Sequence, residues 1–538
     1  MTCRLAGLIE PTCALPLRNL SMLAFLGWAV LDQAPCRAGD LYAADGLDVR
    51  WDNTLRYSAG VRLNAANAAL LGNPNSDDGD RDFAPGLVLN RLDLLSVLNV
   101  TKGESGIQVS VDGWYDTVYD AHTANNSPAT YNALSVPNTK FPRAVRNLDG
   151  HHAEFGDTFA YGNFAIGGIP ISMRIGRQTL LWGESLFFDE NSIAAAQAPI
   201  DYIKNVGTPQ SYSNNVFLPV DQLSLTAQPR ANLALAAYYQ FEWRGSRLPG
   251  VGSYFSDSDV LGAGAERLLL AQGQYLHRGE SRIPSPGGQF GLSFQTRLDD
   301  LDLGLYALLF DSKYPILRLK TEPSAASLPN DVGEFYSVYP NAIELYGIGF
   351  SGYLENSSVA GEFSARLNTP LVGASAMEQY PPAEAGKVVT SGYARGNTLH
   401  AQVSSVTTLP PALVWDSADI SVQVSATYLL GVTQNKVAID PSRLRFASSL
   451  RALFEPRYFE VLPNLDVTFP IGLGYGLAGR SEMYFGQNSG AGDFEIGLSA
   501  TYRSVWKADL ILTSYLGAPS RQPLADRDFI LFSIERAF

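Results

Sequence analysis

Few residues in this chain are equipped for chemistry, and their spacing limits what they do. Its 538 residues include five histidines: His122, His151, His152, His277 and His400. His151 and His152 are adjacent, and neighbours on a strand point to opposite faces, so the pair is a poor metal site. Nucleophilic hydrolysis needs a serine, a histidine and an acid brought together. The nearest grouping, His400 with Ser404 or Ser405, has no supporting spacing. Ser185 follows Gly183-Glu184 and does not sit in a Gly-x-Ser-x-Gly elbow. No phosphate-cradling glycine loop is present, and the 49 glycines read as bends and turns. The chain is therefore read as a non-enzyme, with no catalytic residue, cofactor or metal ion assigned. The run Asp77-Asp-Gly-Asp-Arg-Asp82 stays open: it offers hard carboxylate oxygens of the kind calcium takes, or it is a solvated acidic loop.

A second set of polar residues fits passage better than reaction. Arg174 and Gln178 share the polar face of one strand with Ser172 and Gly176, and Glu184 follows at its end. Asp112, Asp116, Arg297, Glu362, Arg366 and Glu495 fall on the polar faces of other alternating segments. If those faces line a lumen, Arg174 is expected to pair with carboxylates such as Asp112, Glu362 and Glu495. The set then reads either as a salt-bridge lattice that stabilises the wall or as a polar constriction.

The elements that must position these residues are strands. From Asp493 to Arg503, Phe494, Ile496, Leu498, Ala500 and Tyr502 oppose Asp493, Glu495, Ser499, Thr501 and Arg503. Ile420, Val422, Val424, Ala426 and Tyr428 likewise oppose Asp419, Ser421, Gln423, Ser425 and Thr427. The same period of two recurs over 107–116, 289–298 and 359–367. The last residues, Phe529 to Phe538, place Ile530, Phe532, Ile534 and Phe538 on one face, interrupted by Arg536. A strand ending on a C-terminal Phe is the closing strand expected of an outer-membrane β-barrel. Short turns and long loops also take turns along the chain. Lys102–Ser105, Gly167–Pro170, Pro229–Ala231, Asp299–Leu301, Glu355-Asn356 and Glu455–Arg457 read as short, separated by long stretches at 119–149, 184–217, 244–287, 311–341, 369–396 and about 470–490. The expected fold is all-β: a transmembrane antiparallel up-and-down barrel of roughly 18 strands, within 14–20, closed so that every peptide group in lipid is paired. Two loop stretches, 193–206 and 263–275, read as helix-like, suited either to insertion in the lumen as a constriction or to capped helices on the outer surface.

Composition agrees. Tyr and Phe number 26 each while Met numbers 5, and mean hydropathy is −0.03. No apolar stretch reaches the ~20 residues of a spanning helix. Residues 1–38 read as a removable signal peptide: Arg18 precedes the apolar run Leu20–Leu31, with Cys36 and Ala38 as the small residues before cleavage. The three residues before Cys36 do not fit a lipobox. Residues 39–538 then form one barrel domain. All three cysteines fall in the first 38 residues, so the remainder offers no disulfide or thiolate site. The net charge of −14 excludes nucleic acid as a partner, because no basic stripe is available for phosphates.

Residues 170–363 carry a recognisable pattern. Arg174-Ile-Gly-Arg177-Gln178 leads to Trp182-Gly183-Glu184-Ser185, then Leu218-Pro-Val, Tyr238-Tyr-Gln-Phe-Glu-Trp243, Tyr254-Phe-Ser-Asp-Ser-Asp259, Tyr346-Gly-Ile-Gly-Phe350 and Ala360-Gly-Glu-Phe363, with Asp77–Arg81 upstream. Together these resemble the proteobacterial outer-membrane family called domain of unknown function 1302, over nearly the whole chain after residue 38. The resemblance implies a barrel in the bacterial outer membrane; one branch resembles alkane-uptake proteins, and other members sit near genes for degrading sterols and terpenes. Asp311-Ser-Lys313 departs from a His/Arg pair common there, and the stretch around Asp201 is less proline-rich, which leaves the solute open. The expected function is passive uptake of small, hydrophobic organic compounds, with Phe187, Phe188, Tyr254, Phe255, Leu268, Leu269 and Leu270 as capture residues. Two alternatives stand beside it: a general or polar-solute porin, and a docking barrel for a periplasmic partner. The expected surroundings are outer-membrane lipid and lipopolysaccharide, with the barrel-assembly machinery engaging the strand that ends in Phe538.

Overall fold

The computed structural model describes residues 39–207, 216–320, 329–373, 392–483 and 488–538, so the proposed signal segment lies outside the described residues. Gly39–Ala44 (β1) forms a hairpin with the next strand. Leu47–Arg62 (β2), Gly86–Lys102 (β3), Ser105–Asp116 (β4), His151–Ile166 (β5), Ile169–Gln178 (β6), Val220–Arg230 (β7) and Leu233–Gln240 (β8) build the first part of a wall. Arg267–Leu269 (β9) and Tyr275–Arg278 (β10) lie in a loop. Gln289–Leu298 (β11) and Leu301–Phe310 (β12) return to the wall. Ile316–Lys320 (β13) and Asp331–Val338 (β14) join β9 and β10 in a separate four-stranded sheet. The wall continues through Ile343–Leu354 (β15), Ser357–Pro370 (β16), Arg395–Leu409 (β17), Ser417–Gln434 (β18) and Phe446–Leu462 (β19). It ends with Leu465–Thr468 (β20) running into Ile471–Ala478 (β21), then Ala491–Tyr502 (β22), Trp506–Gly517 (β23) and Phe529–Ala537 (β24).

With β20 and β21 as halves of one strand, and β1 set aside as a short strand on the start of β2, eighteen antiparallel strands make a closed barrel. β24 pairs with β2 from Thr54↔Ala537 to Arg62↔Phe529, while the start of β2, Leu47–Trp51, pairs with β1. Closure leaves no open edge in hydrocarbon, where an unpaired peptide group costs several kcal/mol.

Alternation sorts the side chains. On β22, Asp493 and Glu495 are buried inside, and Ile496 and Leu498 are exposed outside. On β18, Ser421, Gln423, Ser425 and Thr427 are buried, and Val424, Tyr428 and Leu430 are exposed. Outward aromatics gather at both ends: Trp51 and Phe164 near the short turns, and Tyr115, Tyr239 and Tyr475 near the long loops. An apolar band with aromatic girdles is what a lipid-spanning barrel presents. The tight turns use positive φ, as at Gly167 (59°) and Gly168 (81°), the pair that a type I′ hairpin needs.

Two sequence expectations need correction. Glu455-Pro-Arg457 is no turn; it lies inside β19, with Pro456 opposite Ala418 of β18, and the real turn follows Leu462. On its other side Pro456 faces the break at Phe469-Pro470 between β20 and β21, so the ladder is interrupted where two prolines lack donors. The stretch 263–275 is not a helix. It contains β9, a short 3₁₀ turn at Ala271–Gly273 and the start of β10, and Leu268 packs there with Val251, Val260, Leu276 and Phe335. A short apolar run does not by itself distinguish helix from strand.

Candidate functional site: the lumen and its inserted loop

The described residues of the long loop between β6 and β7 (179–207 and 216–219) fold into the barrel. Its helical turns are short, Ile193–Ala196 and Tyr202–Gly207. One face of the loop is apolar: Trp182, Ile193 and Ala196 pack on the inward-facing Tyr238, Tyr306, Leu308, Phe310, Ile343 and Leu345. The Trp182 ring lies 5.1 Å from Tyr238 and 6.0 Å from Tyr306.

Polar side chains of the wall seat the rest of the loop. Glu362 of β16 accepts from the backbone N–H of Glu184 and of Ile193, each at 2.9 Å, and from Gln402 Nε2 at 2.6 Å. Arg366 donates to the carbonyls of Glu190 (3.1 Å) and Ser192 (2.9 Å). Gln423 Oε1 accepts from Phe187 N (2.5 Å) and Phe188 N (3.2 Å). His400 lies between Asn191 Oδ1 (2.8 Å) and Thr398 Oγ1 (2.9 Å). Gly183 has φ of 99°, and a Cβ there would collide with the Glu362 carboxylate. Glu184, next in the chain, is pushed up to about 7 by burial, with the neighbouring Glu362 adding to the effect.

The opposite wall is charged. Asp93, Arg56, Glu535 and Lys507 are successive register partners across β3, β2, β24 and β23, an alternating row at one height. Between this wall and the loop lies a chamber of about 310 Å³. Arg56, Arg91, Asp93, Asp116, Asp149 and Lys204 supply its charge; Val88, Leu89, Ile203, Val216, Tyr254, Phe255, Phe529 and Leu531 are among its apolar and aromatic lining. Lys204 reaches from the loop to Asp112 on β4 at 2.9 Å. A smaller cavity of about 120 Å³ lies on the other side of the loop, bordered by Glu190, Lys313, Arg366 and His400. Burial pulls the ammonium of Lys313 down to about 7.

Each residue singled out from the sequence now has a place. Asp112, Glu362, Arg366 and Glu495 face inward and are wholly or partly buried, and Asp116 and Gln178 are buried near the long-loop rim. Arg174 is exposed on the inner face and does not pair with Asp112, Glu362 or Glu495; its guanidinium lies 5.4 Å from the Phe159 ring. Asp112 is taken by Lys204, Glu362 by backbone N–H groups, and Glu495 accepts from Thr513 at 3.4 Å. Arg297 pairs with Asp302 (2.6 Å) beside a short turn. The capture residues separate. Phe187 and Leu268 are buried at 9% and 7% exposure; Tyr254, 1% exposed, borders the chamber beside Phe255, and Phe188, Phe255, Leu269 and Leu270 retain surface. Tyr254 donates to the carbonyl of Arg527 (2.8 Å) and packs on Phe83 and Phe529. Ser404 donates to Ala360 O and does not meet His400, so no Ser–His pair assembles there. The acidic run is not a solvated loop: Asp77, Asp78, Asp80 and Asp82 are all buried.

A row of glutamines was not anticipated. Gln222, Gln240 and Gln289 are register partners on β7, β8 and β11, and Gln178 and Gln222 exchange side-chain-to-carbonyl bonds of 3.1 and 2.8 Å. Gln240 carries the row to the loop through Gln197 O at 2.5 Å. The signal was there, a Gln near the loop end of each strand, but it has no meaning until the register aligns them.

The fold and its polar, loop-filled interior define a transmembrane β-barrel. Within that class, residues 19–538 match the family described as a protein of unknown function, DUF1302, and the chain belongs to it. No curated protein matches the chain. Similar solved structures include Acinetobacter baumannii OccAB4 (8% identity, TM-score 0.44, covering 91% of this chain and 98% of that one). Acinetobacter baumannii OccAB1 (12%, 0.42, 91% and 96%) and Pseudomonas aeruginosa OccK8, also called OprE (8%, 0.42, 91% and 98%), are comparable.

Proposed function

We propose that this protein is a passive outer-membrane channel for small organic molecules with an apolar body. The observation that carries the reading is the chamber of about 310 Å³, apolar along Val88, Leu89, Phe529 and Leu531 and charged along Arg56, Arg91 and Asp93. Its size is that of a small-molecule site, and the mixed lining orients a solute with one polar end. An apolar solute crosses a lipopolysaccharide-covered membrane poorly by itself, and a lined chamber offers it an apolar surface on the way. The inserted loop, held by Glu362, Arg366 and Gln423, forms one side of the chamber through Ile203, Lys204 and Val216 and acts as the constriction. The chemistry is selection by fit and polarity, without bond making. The experiment is gene deletion in the native host. Growth on an apolar carbon source slows and growth on sugars is unchanged; equal growth on both removes the reading.

The alternating row Asp93–Arg56–Glu535–Lys507 favours a second reading, a porin for polar or zwitterionic solutes. It predicts marked ion selectivity and high conductance in planar bilayers, with no advantage for apolar solutes.

A further inference from the structure

The buried acidic cluster at the long-loop end has no part in the channel reading. Asp77 and Asp78 come from the loop after β2, and Asp259 from the loop after β8. One carboxylate oxygen of each lies within 4.8 Å of the others, and all three residues are at most 1% exposed. Asp82 is beside them, 5% exposed: a Cβ on Gly252 would meet its Oδ2 at 2.4 Å and Asp78 Cβ at 3.7 Å.

A third loop, between β4 and β5, brings a neutral oxygen donor. Asn132, fully buried, is held between two of the aspartates: its backbone N–H donates to Asp78 Oδ2 (3.2 Å) and its Nδ2 to the carbonyl of Asp259 (2.5 Å). Its Oδ1 has no donor. Oδ1 of Asp77 and Oδ1 of Asp82 also have none. Three buried oxygens without a donor thus stand together at one carboxylate cluster, two of them on its own aspartates.

The charges do not balance either. Four carboxylates, Asp77, Asp78, Asp82 and Asp259, meet two guanidiniums. Arg81 binds Asp77 Oδ2 at 2.5 Å, and Arg267 acts on Asp78 electrostatically. Asp80 is engaged elsewhere, by Arg62 and Arg527. Counted as ionised, the carboxylates exceed the guanidiniums by two, which is the charge of one divalent cation; the N–H groups of Asp77 and Asp78 on Asp259 Oδ2 and Asn125 Nδ2 on Asp78 Oδ1 are the neutral donors already present. Oxygen-only donors, mixed carboxylate and amide, on irregular loops fit calcium's flexible shell of 6–8 ligands better than magnesium's strict octahedron. From this geometry we infer that Asp77, Asp78, Asp82, Asp259 and Asn132 form a calcium site that ties three loops together over the lumen.

The test uses the folded full-length barrel in detergent, stripped with EDTA and titrated with CaCl₂ by calorimetry. The expected result is one ion per chain with Kd on the order of 10⁻⁴ M, as for extracellular calcium modules. Asp259→Asn and Asn132→Ala are each expected to weaken it at least about tenfold, while Asp48→Asn, exposed near the short-turn end of β2, leaves it unchanged. Calcium is also expected to raise the melting temperature of the wild type and not that of Asp259→Asn, read by heat-dependent gel mobility, which reports folding of each variant. No saturable calcium binding, unchanged binding in both site variants, or equal affinity for MgCl₂ overturns the assignment.

Discussion

Replacing Glu362 by alanine is expected to release the inserted loop. The carboxylate accepts the N–H groups of Glu184 and Ile193 and the amide of Gln402 at 2.6–2.9 Å. Hydrogen bonds to a charged group contribute about 1.5–3 kcal/mol each, and a buried N–H left without an acceptor costs about 1–3 kcal/mol. Two such N–H groups put the loss for the seated loop on the order of 3–6 kcal/mol, before water enters the space and recovers part of it. That is about 10²–10⁴ in the equilibrium between seated and released loop. Glu362→Gln keeps one acceptor oxygen, so it loses about half as much. The assay is single-channel recording in planar lipid bilayers at neutral pH. The wild type should show one steady level, the glutamine variant occasional larger openings, and the alanine variant a higher and noisier conductance. An alanine variant that folds, by its heat-modifiable mobility, and still conducts like the wild type refutes the latch.

Gly183→Ala should reproduce the Glu362→Ala phenotype, because its Cβ meets the same carboxylate and its φ of 99° strains any L side chain; wild-type conductance would contradict this. Arg527→Met removes a fully buried cation that binds Asp80 at 2.8 Å and the carbonyls of Tyr254 and Ser256 at 2.6 and 2.5 Å; stability should fall by about 3–5 kcal/mol, seen as a lower melting temperature in detergent. Lys313→Met tests a pH effect. The folded ammonium sits near 7 against 10.5 in the open chain, so the unfolded state binds more protons between those values and stability rises with pH across that window. The variant should therefore be more stable than the wild type at pH 6, by on the order of 4 kcal/mol, with the gain gone near pH 10.5; a pH-independent difference would remove the burial argument.

The wall was legible because lipid and lumen impose a period of two. Phe494, Ile496 and Leu498 against Asp493 and Glu495 already named the two faces of β22. Glu362 and Arg366 could likewise be placed on an inner face. Their partners could not, since Glu184 and Ile193 lie 178 and 169 residues away and on a loop with no period of its own. Arg174 shows the same limit: its face was readable, but which carboxylates stood near it depended on loops that had already claimed Asp112 and Glu362. The Trp182-Gly183-Glu184 string was recognisable as a pattern, and its cause is now visible. Trp182 fills an apolar niche, Gly183 clears the carboxylate and the Glu184 N–H docks on it. Leu268–Leu270 misled as to helix because three apolar residues carry no usable period, and the burial of Tyr254 was hidden because an aromatic at a loop tip reads as exposed until the neighbouring loops cover it.

Flux through the purified protein tests the central claim most directly. Uptake into proteoliposomes would be compared for a medium-chain alcohol or acid and for a disaccharide, in wild type and in Val88→Trp/Leu531→Trp, which fills the apolar side of the chamber. The account predicts faster entry of the apolar-bodied solute in the wild type, abolished in the filled variant. Equal rates for both solutes, or uptake untouched by filling the chamber, would contradict it.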